Sequence, residues 1–328
     1  MVKTIRWGIL STGDIAGAFA RDLKLLPDAE LVAVGSRTQQ RAEAFGQDHG
    51  IPHRHGSYEA LAQDPDVDVI YVATPHSFHA ENTILCLNSG KAVLCEKAFA
   101  LNSSQAKEMI DLAREKKLFL MEAMVTRHFP VIKQVRQWVE EGRIGEVRMV
   151  QATRCADGVY PPEGRHMNLN LGGGSLLDVG IYVLSFCSMF FEEPPVRVRG
   201  SAQFEETGAD GQGSIVLQYP NGGLGSLSYA LNTKGEDSAH VYGSQGRIHV
   251  HTPFWGATKA TLTIPGEEDE TVEIPKSGNG LNYEAAEVMR CLREGETESP
   301  VMPLDETLTL MRIMDELRSD WGLVYPGE

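Results

Sequence analysis

Three stretches of this 328-residue chain carry residue types suited to proton and hydride chemistry. Ala92-Val93-Leu94 runs into Cys95-Glu96-Lys97-Ala98, an apolar strand that delivers a carboxylate and an ammonium at its end. Val69-Ile70-Tyr71-Val72 runs likewise into Ala73-Thr74-Pro75-His76-Ser77-Phe78-His79. The glycine-rich segment Gly172-Gly173-Gly174-Ser175-Leu176-Leu177-Asp178-Val179-Gly180-Ile181-Tyr182 then places an acid and a phenol four residues apart. On a helix that spacing puts Asp178 and Tyr182 on one face. A carboxylate and a phenol on an otherwise apolar helix are costly unless paired. Two readings stay open: a functional pair, or a tyrosine hydroxyl capped by a buried aspartate in the core. Lys97 also has two readings, a solvated loop residue or a cation held beside a cofactor. The second follows if its strand belongs to an open α/β sheet, where ligands bind at the carboxyl ends of the strands.

Residues 6–17, R-W-G-I-L-S-T-G-D-I-A-G, supply the reason to expect such a sheet. They read as a buried strand, a tight turn and the start of a helix, the local order that builds a socket for a dinucleotide pyrophosphate. The glycine fingerprint is incomplete, with Ser11 at its first position and Gly13 and Ala16 at the next two. Ser11, Thr12, Gly13, Asp14 and Ile15 are the candidate phosphate-side residues. The second strand, near 31–34, ends in Gly35-Ser36-Arg37-Thr38. An acid at this tip binds the ribose 2′-hydroxyl of NAD. Here Ser36 and Arg37 stand at the tip and Arg41 follows one helical turn later. A guanidinium and a hydroxyl suit a 2′-phosphate, so the expected cofactor is NADP. The competing reading of Arg37 is a solvated residue at a helix start. Thr74, Pro75, His76, Glu96 and Lys97, at later strand ends, complete the candidate cofactor set. For His76, contact on the nicotinamide side and service as a loop or helix cap both remain open.

Elements that position these residues alternate through the first 120 residues or so. Helices are expected over 38–48, 58–63, 76–89 and 103–116, with strands over 31–35, 66–72, 91–95 and 118–121. Repeated βα units of this length imply a parallel sheet covered by helices on both faces. Past residue 123 a helix at 130–141 and a strand at 144–155 precede the glycine run, whose helix is expected to reach about residue 190. Strands follow near 196–204, 213–219, 224–232, 238–243, 246–251, 259–264 and 270–274, joined by turn chemistry such as Pro220-Asn221-Gly222-Gly223. Helices near 282–294 and 305–319 close the chain. The reading is a Rossmann domain over 1–122 and an α+β domain over 123–328 with a large, mostly antiparallel open sheet. One face of that sheet needs a cover other than helices, and a partner subunit, giving a homodimer, is expected there.

Composition narrows the partners. A net charge of −15 argues against nucleic acid and anionic membrane. Cys86, Cys95, Cys155, Cys187 and Cys291 show neither zinc-site nor disulfide spacing, and scattered thiols fit a reducing cytosol. No leader precedes the first strand and no apolar stretch is long enough to span a bilayer, so a cytoplasmic location is expected. His79 is read as structural. His53, His55, His249 and His251 are read as lacking convergent partners, and no metal is expected. Glu267-Glu268-Asp269-Glu270 reads as a solvated hairpin tip.

Longer motifs carry a resemblance. W-G-I-L-S at 7–11, A-V-L-C-E-K at 92–97, L-F-L-M-E-A at 118–123, T-R-H-F-P at 126–130 and the glycine-rich run at 172–182 occur in this order, followed by L-Q-Y-P at 217–220, Y-E-A at 283–285 and E-S-P-V-M-P-L at 298–304. Over essentially its whole length the chain resembles the glucose–fructose oxidoreductase, inositol dehydrogenase and rhizopine catabolism family, and within it the branch of dimeric dihydrodiol and D-xylose 1-dehydrogenases. The resemblance places Lys97 on the family's E-K-P lysine at the reacting centre, Asp178 on the acid of its second motif, and Tyr182 on the general acid/base. Ala98 departs from the usual proline, and Val125 stands where close relatives carry tryptophan, reshaping the expected substrate pocket. Arg127, His166 and Asn168 are further candidates for that pocket. The implied reaction moves a hydride between NADP and a carbinol carbon of a sugar or vicinal diol while Tyr182 takes the hydroxyl proton. A free phenol titrates near about 10, and the Lys97 ammonium is expected to lower that value. An aldose, D-xylose first, is the expected substrate, with a trans-dihydrodiol as the alternative enzyme reading. A dinucleotide-binding regulator without turnover is the alternative of another class.

Overall fold

Ile5–Leu10 (β1) is buried on both faces, the pattern of a central strand in a covered parallel sheet. The structure, a computed structural model, describes residues 3–328. β1 pairs with Ala29–Gly35 (β2) on one side. His53–His55 (β3) adds the outer edge next to β2. On the other side of β1 follow Val69–Val72 (β4), Ala92–Glu96 (β5) and Leu120–Ala123 (β6). The strand order is β3-β2-β1-β4-β5-β6, and every pairing is parallel. Order reverses between β1 and β4, which creates the crevice where doubly wound sheets bind dinucleotides. The crossover helices are Asp14–Leu23 (α1), Gln39–His49 (α2), Tyr58–Ala62 (α3), His79–Asn88 (α4) and Ser103–Lys116 (α5). Thr38, Ser57 and Asn102 cap α2, α3 and α5 with their side chains; α1 has no side-chain cap.

The chain forms two compact units that are not divided at a single point. One unit comprises 1–125 together with 277–308, and the other comprises 126–276 with 309–328. The 281–294 helix, expected to close the second domain, packs instead on α1. Asp22 of α1, 2% exposed, explains the attachment. Its carboxylate accepts from the backbone N–H of Asn279 and Leu281 at 2.9 Å each, so a residue from early in the chain caps a helix near its end.

The second unit is built on an eight-stranded sheet. Its strands are Val147–Cys155 (β7), Arg197–Phe204 (β8), Asp210–Gln218 (β9), Leu224–Ala230 (β10), Ala239–Gly243 (β11), Arg247–Val250 (β12), Lys259–Thr263 (β13) and Glu270–Glu273 (β14). They lie in the order β14-β13-β12-β11-β7-β10-β9-β8. All neighbours are antiparallel except β7 and β10. In β9 and β10, Ile215, Leu217, Leu227 and Tyr229 are buried while Ser214, Val216 and Leu224 on the alternate positions face out. Pro130–Glu140 (α6) and Ile181–Ser188 (α7) are the unit's helices before the long strand run.

Two sequence expectations change here. Residues 169–188 are long and apolar enough, by length and composition, to cross a membrane, yet 83% of the qualifying window is buried inside the protein. That is the behaviour of a core helix. The histidines read as partnerless also meet one another. His53 and His55 both bond Asp64, and His249 stacks on His240 at 4.3 Å and lies tilted against His251 at 4.1 Å.

Candidate active site

In the first unit, β1 hands the chain to α1 through Ser11, whose φ is +108°. Side chains rarely adopt that backbone, which is why the fingerprint has glycine at this position. Ser11 N–H is fixed by the Gly35 carbonyl at 3.0 Å, so the turn is tied to the end of β2. Gly13 then caps α1, and a Cβ added to it would meet nothing within 4 Å. The protein's own packing leaves that space free for a ligand to approach the backbone. With no side-chain cap, the first-turn N–H groups of α1 remain directed at it. The residues present therefore fit a pyrophosphate.

Ser36 is buried and held by the His55 carbonyl at 3.0 Å, and Arg37 and Arg41 are exposed beside it. Tyr58, at the start of α3, was missed by sequence reasoning. Burial raises its phenol above the ordinary value, against the pull of Arg37, the Ser11 hydroxyl and Arg41. Those influences place two guanidinium groups, a hydroxyl and a phenol around the tip of β2, with the Glu81 carboxylate acting on Tyr58 in the opposite sense to the guanidinium groups.

The tips of β4 and β5 are joined by His79, fully buried, whose Nδ1 meets the Ala98 carbonyl and whose Nε2 meets the Thr74 carbonyl, each at 2.8 Å. Carbonyls only accept, so an imidazolium satisfies both contacts and a neutral ring only one. Glu96 accepts from Tyr71 Oη–H and, at 3.1 Å, from the Lys97 backbone N–H. Glu122 on β6 accepts from the Phe99 N–H at 3.2 Å and from Thr307 Oγ1–H at 3.0 Å, fixing the chain just beyond Lys97. Lys97 itself is half-buried, and the Lys97–Ala98 peptide is cis. Pro75 precedes the 3₁₀ turn His76–Phe78, and His76 is buried with its ring edge against His79 at 5.6 Å.

In the second unit the glycine run does not open a plain α-helix. Leu176–Gly180 is a π-helical turn that feeds α7. Asp210 accounts for its entry: one carboxylate oxygen accepts from Ser175 Oγ–H at 2.7 Å and from the Leu176 N–H at 2.6 Å. Gly174, with φ +128°, is required there because a Cβ would lie 2.2 Å from the other Asp210 oxygen. Burial pushes the Asp210 carboxyl up to about 7, against those two hydrogen bonds. π-Turns concentrate at functional sites because they re-aim side chains within a helix, and this one carries Asp178.

Asp178 is 6% exposed and accepts from Arg165 Nη1 at 2.9 Å, with His166 Nε2 3.8 Å away. The His166 ring in turn lies tilted against that of Tyr160, with centroids 4.0 Å apart. Tyr182, in the first turn of α7, lies with its ring 6.5 Å from that of Trp255. Trp255 is well fixed: Nε1–H donates to Asp237 at 2.8 Å, its carbonyl accepts from Thr126 at 3.1 Å, and the Arg154 guanidinium lies 4.6 Å above its ring. Arg165, Trp255, Arg154 and Asp237 escaped sequence reasoning. They come from segments far apart in the chain, and no local spacing marks them.

Two candidates change character. Arg127, expected at the substrate surface, is 2% exposed and clamps α7 through Ser185 Oγ, the Ser185 carbonyl and Ser188 Oγ at 2.8, 3.0 and 2.9 Å. A guanidinium so committed is structural. Asn168 directs its side-chain oxygen to the N–H of Asn170 at 3.0 Å and caps the turn Leu169–Leu171. Val125 is half-buried and starts the 3₁₀ turn Val125–His128.

Residues 5–124 match the model of an oxidoreductase family with an NAD-binding Rossmann fold, and residues 132–249 match the GFO/IDH/MocA C-terminal domain. The chain belongs to the GFO/IDH/MocA oxidoreductase family. Members similar to it over its whole length are the trans-1,2-dihydrobenzene-1,2-diol dehydrogenases of Homo sapiens, 39% identical, and of Bos taurus, 38% identical, each alignment covering 99% of both proteins. Among solved GFO/IDH/MocA-like structures, a 3-ketoreductase from Actinomadura kijaniata in complex with NADP and TDP-benzene is 26% identical with a TM-score of 0.85, covering 97% of this chain and 98% of that one. An aldose–aldose oxidoreductase from Caulobacter crescentus shares the fold, with a TM-score of 0.88 at 24% identity and 96% coverage of each chain. The protein is thus an oxidoreductase of this family with an NAD(P)-binding Rossmann domain, a dehydrogenase acting on CH–OH donors.

Proposed function

We propose that this dehydrogenase uses NADP and oxidises a carbinol carbon of a sugar or vicinal diol, with an aldose of the D-xylose type as first substrate. The observation that carries the cofactor reading is the tip of β2. It offers Ser36, Arg37, Arg41 and Tyr58 where an NAD enzyme presents a carboxylate, and guanidinium groups pair a 2′-phosphate with parallel hydrogen bonds. Ser36 and Arg37 take that phosphate, while Ser11, Thr12, Gly13, Asp14 and Ile15 take the pyrophosphate.

The bound dinucleotide supplies the hydride acceptor. Tyr182, as its phenolate, would take the hydroxyl proton while the carbon's hydrogen leaves with its bonding electron pair as hydride, so the carbinol becomes a carbonyl and no charge is stranded on oxygen. Lys97, at the end of β5, supplies an ammonium of the kind that steadies negative charge developing on an oxygen. Asp178, already held by Arg165, orients a second hydroxyl of the substrate. Trp255, flat and fixed, gives a ring face on which a sugar or a cyclic diol can rest.

A trans-dihydrodiol is a second reading, favoured by the names of the relatives at 38–39% identity. Val125, half-buried and small, favours a roomier pocket and hence a polyhydroxylated substrate. The test is NADP+ reduction, followed at the nicotinamide absorbance, across aldoses, polyols and one trans-dihydrodiol. Saturable turnover with D-xylose or a close aldose supports the first reading. Turnover with the dihydrodiol alone replaces it by the second. Tight NADP+ binding without turnover on the whole panel overturns both and leaves a dinucleotide-binding regulator.

A further inference from the structure

β3 is only three residues long and lies at the outer edge of the parallel sheet, away from the order reversal between β1 and β4. Its two histidines are two residues apart, so the strand's period places both rings on one face. Asp64 comes from the turn after α3, a separate element, and its side chain is 4% exposed. One carboxylate oxygen, Oδ2, meets His53 Nδ1 at 2.7 Å and His55 Nε2 at 2.8 Å. The three candidate donor atoms all lie within 4.8 Å of one another. The two rings stand almost perpendicular, at 87°, with centroids 6.4 Å apart, so they approach the carboxylate from different directions.

We propose that His53 Nδ1, His55 Nε2 and Asp64 Oδ2 form a binding site for a divalent cation of the zinc class, separate from the dehydrogenase chemistry. Two imidazole nitrogens and one carboxylate oxygen are a donor set that Zn2+ and Co2+ favour and that Mg2+ and Ca2+ do not. Bonds of about 2.0–2.1 Å in a tetrahedral site put ligand atoms roughly 3.3 Å apart. To admit such an ion the rings withdraw from Asp64 by about half an ångström, and their two nitrogens, already within 4.8 Å, settle to the same spacing from each other. Both are free to do so, because the His53 side chain is 38% exposed and that of His55 24%. Water reaches the remaining coordination position by the same route.

The carboxylate is prepared for this role. Its second oxygen accepts from the Asp66 N–H at 2.9 Å, and the Asp64 carbonyl accepts from Lys91 Nζ at 2.6 Å. Burial works to raise the Asp64 carboxyl, but hydrogen bonds from His55, the Asp66 N–H and His53 outweigh it and hold the group at about 2. Lys91 is the opposing charge nearby. Its protons point at the Asp64 and Val67 carbonyls, 2.6 and 2.8 Å away, so it weakens a cation's binding without blocking the site. The ion would tie β3 to the α3–β4 turn, and the His55 carbonyl on β3 carries the Ser36 N–H. Occupancy therefore braces the strand behind the Ser36–Arg37 turn.

The experiment titrates Co2+ into the metal-stripped full chain and reads the visible d–d absorption, then displaces it with Zn2+. The expected result is one equivalent bound. His53→Gln and His55→Gln should each weaken binding at least about tenfold. Glutamine keeps an N–H for Asp64 but removes the imidazole ligand, so a purely structural hydrogen bond survives the change and a metal site does not. His249→Gln, on the other sheet, should leave the titration unaltered, and circular dichroism with a cooperative thermal transition reports that each variant is folded. A Co2+ signal that persists in folded His53→Gln or His55→Gln, or no signal up to millimolar Co2+ in the unmodified chain, overturns the proposal. Because the readout is the metal's own spectrum, failure of the NADP or substrate reading leaves this test intact.

Discussion

The two units place chemistry by opposite means. In the first, backbone does most of the positioning: the ends of parallel strands, the bare N-terminus of α1 and carbonyls that anchor His79 from two strand tips. In the second, side chains do it. Asp178 rides on a π-turn braced by Asp210, and Trp255 is fixed by Asp237, Arg154 and Thr126. Their buried carboxylates show the same contrast. Asp64 is surrounded by N–H donors and held at about 2, while Asp210 is fully buried with one oxygen unpartnered and is pushed up to about 7. A backbone-built site serves a constant ligand such as a dinucleotide. A side-chain-built site can be re-cut for each substrate without disturbing the sheet beneath it.

The largest test of that division is Tyr182→Phe. It should lower kcat by about 10²–10⁴-fold, the range for losing a general acid/base, and leave the NADP+ dissociation constant within about twofold. A matching loss of NADP+ affinity would break the division. Arg37→Ala should act in the reverse sense. Losing charge-assisted bonds to a phosphate costs about 1.5–3 kcal/mol, so KM for NADP+ should rise roughly tenfold to a hundredfold. KM for NAD+ and kcat should hardly move. Equal effects on the two dinucleotides would remove Arg37 from the 2′-phosphate.

pH separates the carboxylates. Asp210 has a folded value of about 7 against an ordinary 3.8, so the folded chain keeps a proton the unfolded chain has lost. Its contribution is full below about pH 4 and declines as pH rises to about 7. Asp64 runs the other way: its contribution is full above its ordinary 3.8 and is lost as pH falls towards 2. Urea unfolding at pH 4.5 and 7.5 should therefore show a pH slope that Asp210→Asn flattens; an unchanged slope in the variant would refute the assignment. The smallest effect is expected from Ser11→Gly. Relief of the φ +108° backbone, offset by glycine's greater entropy loss, should add about 1 kcal/mol of stability, read as a rise in Tm. A fall in Tm would mean the Ser11 hydroxyl contributes more than the strain it causes.

What the sequence revealed follows the reach of each signal. The β1–turn–α1 unit, the arginine at the tip of β2 and the strand end carrying Lys97 were legible because each is local and each has a physical reason for its residue types. The spacing that singled out Asp178 and Tyr182 assumed a plain helix, and the π-turn that carries Asp178 was not legible, since its cause is Asp210 more than thirty residues on. Arg165, Tyr58 and Trp255 stayed hidden because their partners lie in other elements. His53, His55 and Asp64 are separated by α3, so their convergence needed the fold. β3 itself was missed, being three residues at an edge. The return of residues 277–308 to the first unit had no local mark at all, since its anchor is Asp22.

That anchor has a consequence for synthesis. A ribosome makes all six strands of the parallel sheet before it begins the second unit, yet the helix that Asp22 caps emerges more than 150 residues after β6. The part of the protein begun first is therefore completed late, and a nascent chain paused in the eight-stranded sheet carries an α1 whose packing partner does not yet exist. Chaperone engagement during translation should concentrate on that exposed helix face, ending once residue 308 has cleared the exit tunnel.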